Sequence, residues 1–518
     1  MPAAAAHSAA VPGLRRNMVT ICAMTATIMQ ALDATIANVA LPYMQGSLSA
    51  SQDQINWVLT SYIVAAAIMT APVGWIANRF GRKRIFILCA AGFTFASVLC
   101  GLAQDITQMV LFRLLQGMFG AALVPLSQAV MLDAYALHER AKAMAIWGMG
   151  VMLGPIMGPS LGAWLTETYS WHWVFFVNLP FGVITVVGLI IFMEETRLDT
   201  RLQFDWFGFA ALAVGIGALQ LALDRGEQLD WLESREIIIE FIVSAAGFYY
   251  FFAHSLTTKR PFVQFAIFKD RNFATALIFM AVIGVVLFST MALASPLFQN
   301  AYGYPILTAG LLLATRGGGT FVAMMMVSRL MTYFEARTLI AIGLSLIAIT
   351  LYDMTAWTAD ISVQAIAINS IVQGYGIGLV FVPMTTAAFM TLPDHLRTDG
   401  TSMLTLVRNV ASSIGISIVI ARLTSGTTRV HAVLAEHITP FNDALQMPDV
   451  TSTINLHTDA GRAMMDVIVS AQAQIIAFSQ DFELVALVTV CAIPLALILK
   501  PTRAAMRAPT ADHAAVME

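Results

Sequence analysis

The sequence predicts an all-α integral membrane protein made of two related six-helix bundles, with two further helices inserted between them. The composition, the number of long apolar runs and an internal repeat predict this class. Of the 518 residues, 58% are hydrophobic and 11% are charged, whereas an average soluble domain is about 45–50% apolar and about 25% charged. Because so few charges cannot cover a water-facing surface, lipid must surround most of the chain. The net charge of -3 gives no reason to expect a nucleic-acid partner.

Long apolar runs give the number of helices, since a helix crosses the hydrocarbon core in about 20 apolar residues. The first run is too long for a signal-peptide core and lacks a cleavage site, so we interpret it as an uncleaved membrane helix. The runs predict fourteen transmembrane helices, at 18–41, 55–77, 85–103, 107–131, 142–166, 172–193, 205–223, 236–256, 273–298, 306–330, 338–357, 362–390, 400–424 and 480–499.

Basic residues predict the orientation, because cytoplasmic loops carry an excess of Lys and Arg. If the N-terminus is cytoplasmic, 20 of the 28 basic residues fall on that side, five on the other, and three within helices. This asymmetry predicts a multi-pass protein with both termini in the cytoplasm, and we expect it in the inner (plasma) membrane.

An internal repeat links two distant parts of the chain. A shift of 257 positions aligns LLQGMFGAALVP (114–125) with IVQGYGIGLVFVP (371–383). Three further pairs match at the same shift: His138 with His395, Arg140 with Arg397, and Gly158 with Gly415. Predicted helices four and five therefore correspond to helices twelve and thirteen.

The repeat and the apolar runs together predict the domain organisation. The predicted parts are a cytoplasmic tail (1–17), a first six-helix bundle (18–193), a linker with two inserted helices (194–270), a second six-helix bundle (271–500) that contains a long periplasmic loop (426–479), and a second cytoplasmic tail (501–518). Within the long loop, the stretch AGRAMMDVIVSAQAQIIAFSQDF has helical spacing and is expected to lie on the membrane surface or dock a partner.

The loop after the second predicted helix reads GWIANRFGRKR (74–84). Gly74 permits a close helix approach, Gly81 permits a tight turn, and the basic cluster anchors the loop at the cytoplasmic leaflet. The loop resembles the signature of the major facilitator superfamily, in which an acidic residue stands where this chain has Asn78. The resemblance implies the major facilitator fold and a cytoplasmic gating loop with Gly74, Asn78, Arg79, Gly81, Arg82 and Arg84. Asn78 weakens the case for a charge-paired gate there, and plain anchoring of the loop is the alternative.

The fourth predicted helix contains LFRLLQGMFGAA (111–122), which resembles the fourth-helix motif of the same family. Arg113, Gln116, Gly117 and Gly120 share one helical face by their spacing. A central Arg costs roughly 2.5–3.5 kcal/mol on insertion scales, so its side chain should face a polar cavity or a partner. An Arg that only ties helices together is the alternative.

The fifth predicted helix contains GMGVMLGPIMGPSLG (148–162), which resembles the motif that marks the antiporters of the family. The motif residues are Gly150, Gly154, Pro155, Gly158, Pro159 and Gly162. Glycines at every fourth position form a stripe on which another helix can pack backbone to backbone. The two prolines remove helix hydrogen bonds and should bend the helix. Packing without an antiporter role is the alternative.

The first predicted helix contains ALDATIANVALP (31–42), with Asp33 at its centre and Gln30 one turn earlier. Burial favours the protonated carboxyl and a nearby cation favours the carboxylate, so Asp33 can gain and lose a proton. With WHWVFFVNLPFG (171–182), this stretch resembles the fourteen-helix drug:proton antiporters of the EmrB/QacA type, in particular the EmrB branch. The resemblance implies proton-coupled efflux of hydrophobic small molecules, driven by the proton motive force without a cofactor.

The same resemblance implies a periplasmic membrane-fusion adaptor and an outer-membrane channel as partners, in addition to lipid and the transported molecule. The site residues expected for proton coupling and the substrate cavity are Asp33, Gln30, Arg113, Gln116, Arg316 and Arg408. Parallel repeats place such a site at their interface, near the bilayer midplane. Because the central helices hold three arginines but only one convincing carboxylate, we expect neutral or weakly acidic substrates rather than dications. Asp133 and Asp353 lie near helix ends, where a solvated or capping role is expected.

Other classes fit the sequence poorly. The four cysteines lie in apolar runs and predict neither a disulfide nor a metal site. The nine histidines show no catalytic or metal-ligand spacing, so an enzyme is not expected. A dedicated metabolite exporter or a proton-coupled importer of the same fold is the alternative function.

Overall fold

The protein is almost entirely helical in the computed structural model. The model describes residues 13–136, 139–195, 203–258, 261, 263–358, 360–393, 396–439, 442, 445, 447, 454, 456 and 458–499, without the side chains at 52, 53, 155, 156, 306 and 307. Outside the described residues lie His138 and His395 of the repeat, the second cytoplasmic tail, most of the first one, and the side chain of Pro155. No β-strand occurs in the described ranges.

The first half contains nine helices in the described residues. They are α1 (Gly13–Ser47), α2 (Gln52–Thr70), α3 (Val73–Phe80), α4 (Arg82–Gly101), α5 (Ile106–Gly120), α6 (Leu123–Ala134), α7 (Arg140–Thr168), α8 (Trp173–Phe176) and α9 (Asn178–Phe192). Two inserted helices follow, α10 (Trp206–Arg225) and α11 (Arg235–Thr257). The second half consists of α12 (Arg271–Pro296), α13 (Ile306–Tyr333), α14 (Ala336–Met354), α15 (Val363–Met390), α16 (Arg397–Ala435) and α17 (Asp459–Ala492).

Polar side chains fix where several of these helices begin. Ser51 and Gln54 form a capping box at the start of α2, Asp105 caps α5 and Asp270 caps α12. Each cap accepts a hydrogen bond from a backbone N–H that the helix leaves without a partner. The positions of these caps agree with the ends of the apolar runs.

The number of membrane spans agrees with the prediction of fourteen. Thirteen helical segments in the described ranges are long and apolar enough to cross a membrane, with α5–α6 and α8–α9 each counted as one span. A fourteenth results when α2 and α3 are counted together, although they meet at an angle of 56°. Pro72 stands at this break and lacks the N–H that would continue the helix ladder. The all-α class with two bundles and an inserted pair is therefore confirmed.

The two halves pack in the same way, as the repeat predicts. In the first half Gly117 of α5 lies directly on the backbone of Tyr62 in α2. In the second half Gly374, its partner in the repeat, lies directly on the backbone of Arg316 in α13. The internal sequence match therefore reflects equivalent helix pairs.

The inserted pair lies beside the junction of the two halves. Helices α10 and α11 approach each other closely at Gly215 and Gly247. On its other side α10 contacts both halves: Asp224 accepts a hydrogen bond from Thr60 of α2, and Gln220 donates to Ser413 of α16 at 2.9 Å. Helix α11 exposes many large apolar side chains, as expected for a lipid-facing helix.

The ends of the last two spans correct the sequence-based boundaries. Helix α16 continues to Ala435, and α17 begins at Asp459, so helices extend into both ends of the predicted loop 426–479. His431 of α16 and Asp466 of α17 are 2.9 Å apart in this extension. The predicted amphipathic stretch is thus the first part of the last long helix, not a separate surface helix. Hydropathy locates only the part of a helix inside lipid, so it could not find this continuation.

Candidate functional site

A buried carboxylate in the first half is the centre of the candidate site. Asp33 lies in the middle of α1 and is 0% exposed. Its neighbours in the sequence are apolar or small, so α1 forms as a membrane helix with one acidic side chain directed into the bundle. A carboxylate at such a position is expensive unless other groups compensate its charge.

Three donors from two other spans surround this carboxylate. Arg113 of α5 donates from Nη1 to Oδ2 of Asp33 at 2.9 Å. Gln116, one turn further along α5, donates from Nε2 to Oδ1 at 2.9 Å. Asn178 at the start of α9 donates from Nδ2 to the same Oδ1 at 2.9 Å. The site therefore holds a charge pair and two neutral donors that are all excluded from solvent.

Arg113 is held in place by groups other than Asp33. Its Nε donates to the backbone oxygen of Val58 at 3.0 Å, and Nη1 also donates to Gln116 Oε1 at 2.9 Å. The guanidinium carbon lies 4.5 Å from the ring centroid of Tyr62, within cation–π range. Because of these anchors, Arg113 can keep its position when the charge on Asp33 changes.

Sequence reasoning missed two members of this site. Asn178 was not singled out, although an amide in an otherwise apolar run is itself a signal of a buried partner. Tyr62 was also missed, because tyrosine is common in membrane helices and nothing local marks it. Gln30, predicted one turn from Asp33, donates to the Tyr62 hydroxyl at 3.3 Å instead of contacting the carboxylate.

The structure divides the predicted site residues between the two halves. Asp33, Arg113 and Gln116 form one network, with Gln30 at its edge through Tyr62. Arg316 and Arg408 belong to helices α13 and α16 of the second half and make no contact with Asp33 among the described residues. The two arginines are therefore not members of the Asp33 network, and their place in a shared substrate cavity stays a prediction.

The glycine stripe of α7 packs directly on α1. Gly154 lies against the backbone of Ala31, Gly158 against Thr35 and Gly162 against the backbone of Ile36. These contacts lie largely on the side of α1 away from Asp33. Helix α7 continues through Pro155 and Pro159 without interruption. The stripe therefore supports the helix that carries the buried carboxylate.

Filling one of these glycines should destabilise the protein. A Cβ at Gly154 would lie 2.5 Å from the Ala31 carbonyl oxygen, so α1 or α7 must move. We expect Gly154→Ala to lose about 1–3 kcal/mol, the usual cost of overpacking, and to lower the melting temperature of the purified protein in detergent.

Gly318 provides the matched control for that substitution. A Cβ at Gly318 of α13 meets nothing within 4 Å, and alanine is the better helix former. Gly318→Ala should therefore leave the melting temperature unchanged or raise it. Equal melting temperatures for the two variants would contradict close packing of α1 on α7.

The loop between α3 and α4 forms the tight turn predicted from its glycines. Gly81 has a φ of 100°, which non-glycine residues rarely adopt. Glu195 accepts hydrogen bonds from the backbone N–H groups of Lys83 at 3.1 Å and Arg84 at 3.3 Å. Gly74 lies directly against Asp399 of α16, so the close helix approach predicted for it joins the two halves.

An acidic residue bridges the two halves at this end of the bundle. Asp133 near the end of α6 accepts hydrogen bonds from Arg82 of α4 and from Arg397 of α16, the latter at 3.0 Å. The two arginine side chains are 9% exposed. Asp133 is 35% exposed, as expected for a solvated residue near a helix end, but it also forms this bridge. The bridge could not be predicted, since the neighbours of Asp133 in the sequence do not reveal Arg397.

The gating loop obtains its ion pair without Asn78. The amide of Asn78 is neutral and cannot form an ion pair, and Asp133 supplies the carboxylate that pairs with Arg82. A second bridge runs the other way, from Arg140 Nη1 of α7 to the backbone oxygen of Phe389 in α15 at 3.1 Å. Asp353, for its part, accepts hydrogen bonds from Asn369 and Trp357.

Metal-ligating side chains do not cluster in the described ranges: no group of three or more could hold a metal ion. The four cysteines are free, and Cys491 is exposed while the other three are buried.

Comparisons with known proteins agree with this architecture. The Major Facilitator Superfamily matches residues 23–416 of the chain. The multidrug export protein EmrB of Escherichia coli (strain K12) is 35% identical over 438 residues, covering 84% of this chain and 85% of that protein. The fatty acid resistance protein FarB of Neisseria gonorrhoeae is 34% identical over 428 residues, covering 82% of this chain and 84% of that protein.

Solved structures show the same fold at lower identity. The human organic anion transporter MFSD10 (TETRAN) aligns with a TM-score of 0.57 at 12% identity, covering 92% of this chain and 99% of that one. A bacterial homologue of the human lysosomal transporter Spinster aligns with a TM-score of 0.53 at 18% identity, covering 94% and 98% of the two chains.

Proposed function

Since this chain belongs to the Major Facilitator Superfamily, we propose that it exports hydrophobic small molecules in exchange for protons. The observation that carries this proposal is the Asp33 carboxylate, which is 0% exposed and lies in a network with Arg113. A group that binds and releases a proton inside the membrane is what proton coupling requires. The relatives named for multidrug export and fatty acid resistance support export as the direction.

The proton would act by changing the charge of this network. With Asp33 ionised, its charge and that of Arg113 compensate each other. When Asp33 takes up a proton, Arg113 becomes a net positive charge that keeps its bonds to Gln116 and Val58. A buried net charge is costly, so protonation favours an arrangement in which water reaches the site. The two halves can adopt two arrangements, and the charge on Asp33 changes the difference in free energy between them. This dependence couples the proton to transport.

Contacts between the halves at the end that carries the gating loop would stabilise one of these two arrangements. The bridges from Asp133 to Arg397 and from Arg140 to Phe389 tie the halves together at the end that carries the basic loops. Basic residues are in excess at that end of the bundle. This excess favours placing that end, together with both termini, on the cytoplasmic side of the inner membrane. The bridged state is then closed to the cytoplasm.

The opposite end supplies a surface for a partner. The helical extensions of α16 and α17 run side by side beyond the predicted end of the membrane spans, where His431 and Asp466 pair. In the proposed orientation they project into the periplasm. We place there the docking of a membrane-fusion adaptor that leads to an outer-membrane channel.

The charges around the site favour neutral or weakly acidic substrates. The structure pairs Asp33 with Arg113, which leaves no second acid in their network to hold a dication. A site for multivalent cations needs carboxylates that are free to bind them. Compounds without a positive charge therefore fit the network of Asp33 and Arg113 best.

Transport in proteoliposomes tests the direction of exchange. An efflux-deficient bacterial strain expressing the protein is first screened for compounds to which expression confers resistance. A radiolabelled compound from that screen is then offered to proteoliposomes with an imposed pH gradient. We expect accumulation only when protons run opposite to the compound, and none in protein-free liposomes. Accumulation in the direction of proton flow would instead show an importer, and indifference to the gradient would exclude coupling.

A further inference from the structure

Two arginines inside the second half have no acidic partner among the residues that the structure describes. Arg316 is 7% exposed, and its Nε and Nη2 atoms have no hydrogen-bond partner among the described residues. It lies ten residues beyond the start of α13, roughly 15 Å along the helix, on the face opposite the exposed Leu311 and Met325. Arg408 is half-buried in α16, where Nε lacks a partner and Nη2 reaches only the adjacent Asn409 at 3.5 Å.

Two other arginines in the spans have carboxylate partners. Arg113 pairs with Asp33, and Arg422 of α16 pairs with Asp481 of α17 at 3.1 Å. A cation in a low-dielectric interior is strongly destabilising without an anion beside it. A ligand of opposite charge would compensate Arg316.

In the first half, the position equivalent to Arg316 lies within the network around Asp33. Gly117 and Gly374 are equivalent in the repeat, and they lie on the backbones of Tyr62 and Arg316 respectively. Arg316 is therefore the counterpart of Tyr62. The Tyr62 ring lies 4.5 Å from the guanidinium carbon of Arg113, within the Asp33 network.

Each half has a buried glutamine at this position, and within the described ranges only the amide nitrogen of the first one has an acceptor. Gln116 donates from Nε2 to Asp33 at 2.9 Å. Its counterpart Gln373 is 2% exposed, and its Nε2 has no partner among the described residues. Gln373 directly precedes Gly374, the residue that packs on Arg316. Two unsatisfied donors thus come from adjacent helices at one level of the bundle.

At the position that corresponds to Asp33, the second half has no carboxylate to accept from Arg316 and Gln373. Thr35 and Ser289 are equivalent, because each packs against the glycine that the repeat matches in the other half, at 158 and 415. Asp33 lies two residues before Thr35, so its counterpart is Leu287, two residues before Ser289. A buried leucine occupies the place of the acid.

We propose that Arg316 and Gln373 form an anion-binding site in the second half, which holds the ionised carboxylate of an exported lipophilic acid. The carboxylate of the substrate takes there the place that Asp33 takes in the first half. Arg408 adds a second positive charge in the same bundle, and it too has no carboxylate partner among the described residues. This inference rests on the proposed export function and narrows its substrates to lipophilic monoanions.

Binding of two matched probes tests the site separately from transport. Purified protein in detergent is dialysed against radiolabelled decanoate or 1-decanol, at a pH where decanoate is ionised. We expect wild type to bind decanoate at least roughly tenfold more tightly than the alcohol, as charge-assisted hydrogen bonds require. Arg316→Gln should remove that preference and leave 1-decanol binding unchanged. Gln373→Leu should weaken decanoate binding to a smaller extent.

A control variant and the absence of a gradient separate the site from general effects of charge and from export. Arg329→Gln removes an exposed cation from the same helix and should leave both affinities unchanged. Equilibrium binding in detergent involves no proton gradient, so a failure of proton coupling does not count against the anion site. Equal affinities for the acid and the alcohol in wild type, or undiminished decanoate binding by Arg316→Gln, would overturn the proposal.

An acid placed in the empty position gives a sharper test. Leu287→Asp puts a carboxylate where the first half has Asp33, so it should pair with Arg316 and exclude decanoate. Leu287→Asn has the same shape without the charge, and it should retain decanoate binding. If both variants bind decanoate equally well, Leu287 does not face Arg316 and the inferred correspondence is wrong.

Discussion

Asp33→Asn should abolish proton-driven efflux while the protein remains folded in the membrane. The amide has the shape of the protonated carboxyl but cannot release a proton, so the network with Arg113 stays in one charge state. Exchange of labelled for unlabelled substrate needs no proton transfer and should continue. In proteoliposomes, accumulation driven by a pH gradient should fall to the level of protein-free liposomes, whereas counterflow should persist.

The controls for Asp33→Asn address its cost to stability. Removing one partner of a buried ion pair costs about 3–5 kcal/mol, and here Arg113 is left without its carboxylate. The double variant Asp33→Asn with Arg113→Gln removes both charges and should recover the melting temperature without recovering efflux. Asp353→Asn alters an acid that accepts from neutral donors in the second half and should leave efflux intact. Gradient-driven accumulation by Asp33→Asn would exclude Asp33 as the proton carrier.

Asp133→Asn should open the bridged end of the bundle. Asp133 is 35% exposed and its arginine partners are 9% exposed. The free energy of this bridge should therefore lie between that of an exposed ion pair and that of a buried one. We expect a loss of about 2 kcal/mol from the closed arrangement, which shifts its population roughly thirtyfold. Spin labels at Phe80→Cys and Phe334→Cys, both at exposed positions, should report a larger fraction of long distances. Coupled efflux should slow.

Glu139→Gln is the matched control for the gate. Glu139 pairs with Arg16 at 3.0 Å, but both residues belong to the first half. Its loss removes a comparable ion pair without releasing one half from the other, so the distance distribution should stay as in wild type. The same distribution in Asp133→Asn would mean that Asp133 does not hold the halves together.

Much of the candidate site could be predicted because its chemistry is unusual for its surroundings. Asp33 and Arg113 are charges in long apolar helices, and insertion of such charges is costly enough to require a function or a partner. Gln116 followed from Arg113 by helical spacing. Asn178 carries no charge and lies on a different span, so its role depended on how α9 packs.

Local composition determined the number of spans, because each span is defined by its own transfer into lipid. The sequence match at a shift of 257 positions determined the repeat, and the two together gave the fold class. The family followed from short motifs and is confirmed by the comparisons. Only the tertiary structure decided which charges are paired. Asp133 and Arg397 meet across 264 positions, and Arg316 meets no acid at all in the described chain. Pairing depends on which helix faces pack together, and this property is absent from the pattern of any single helix.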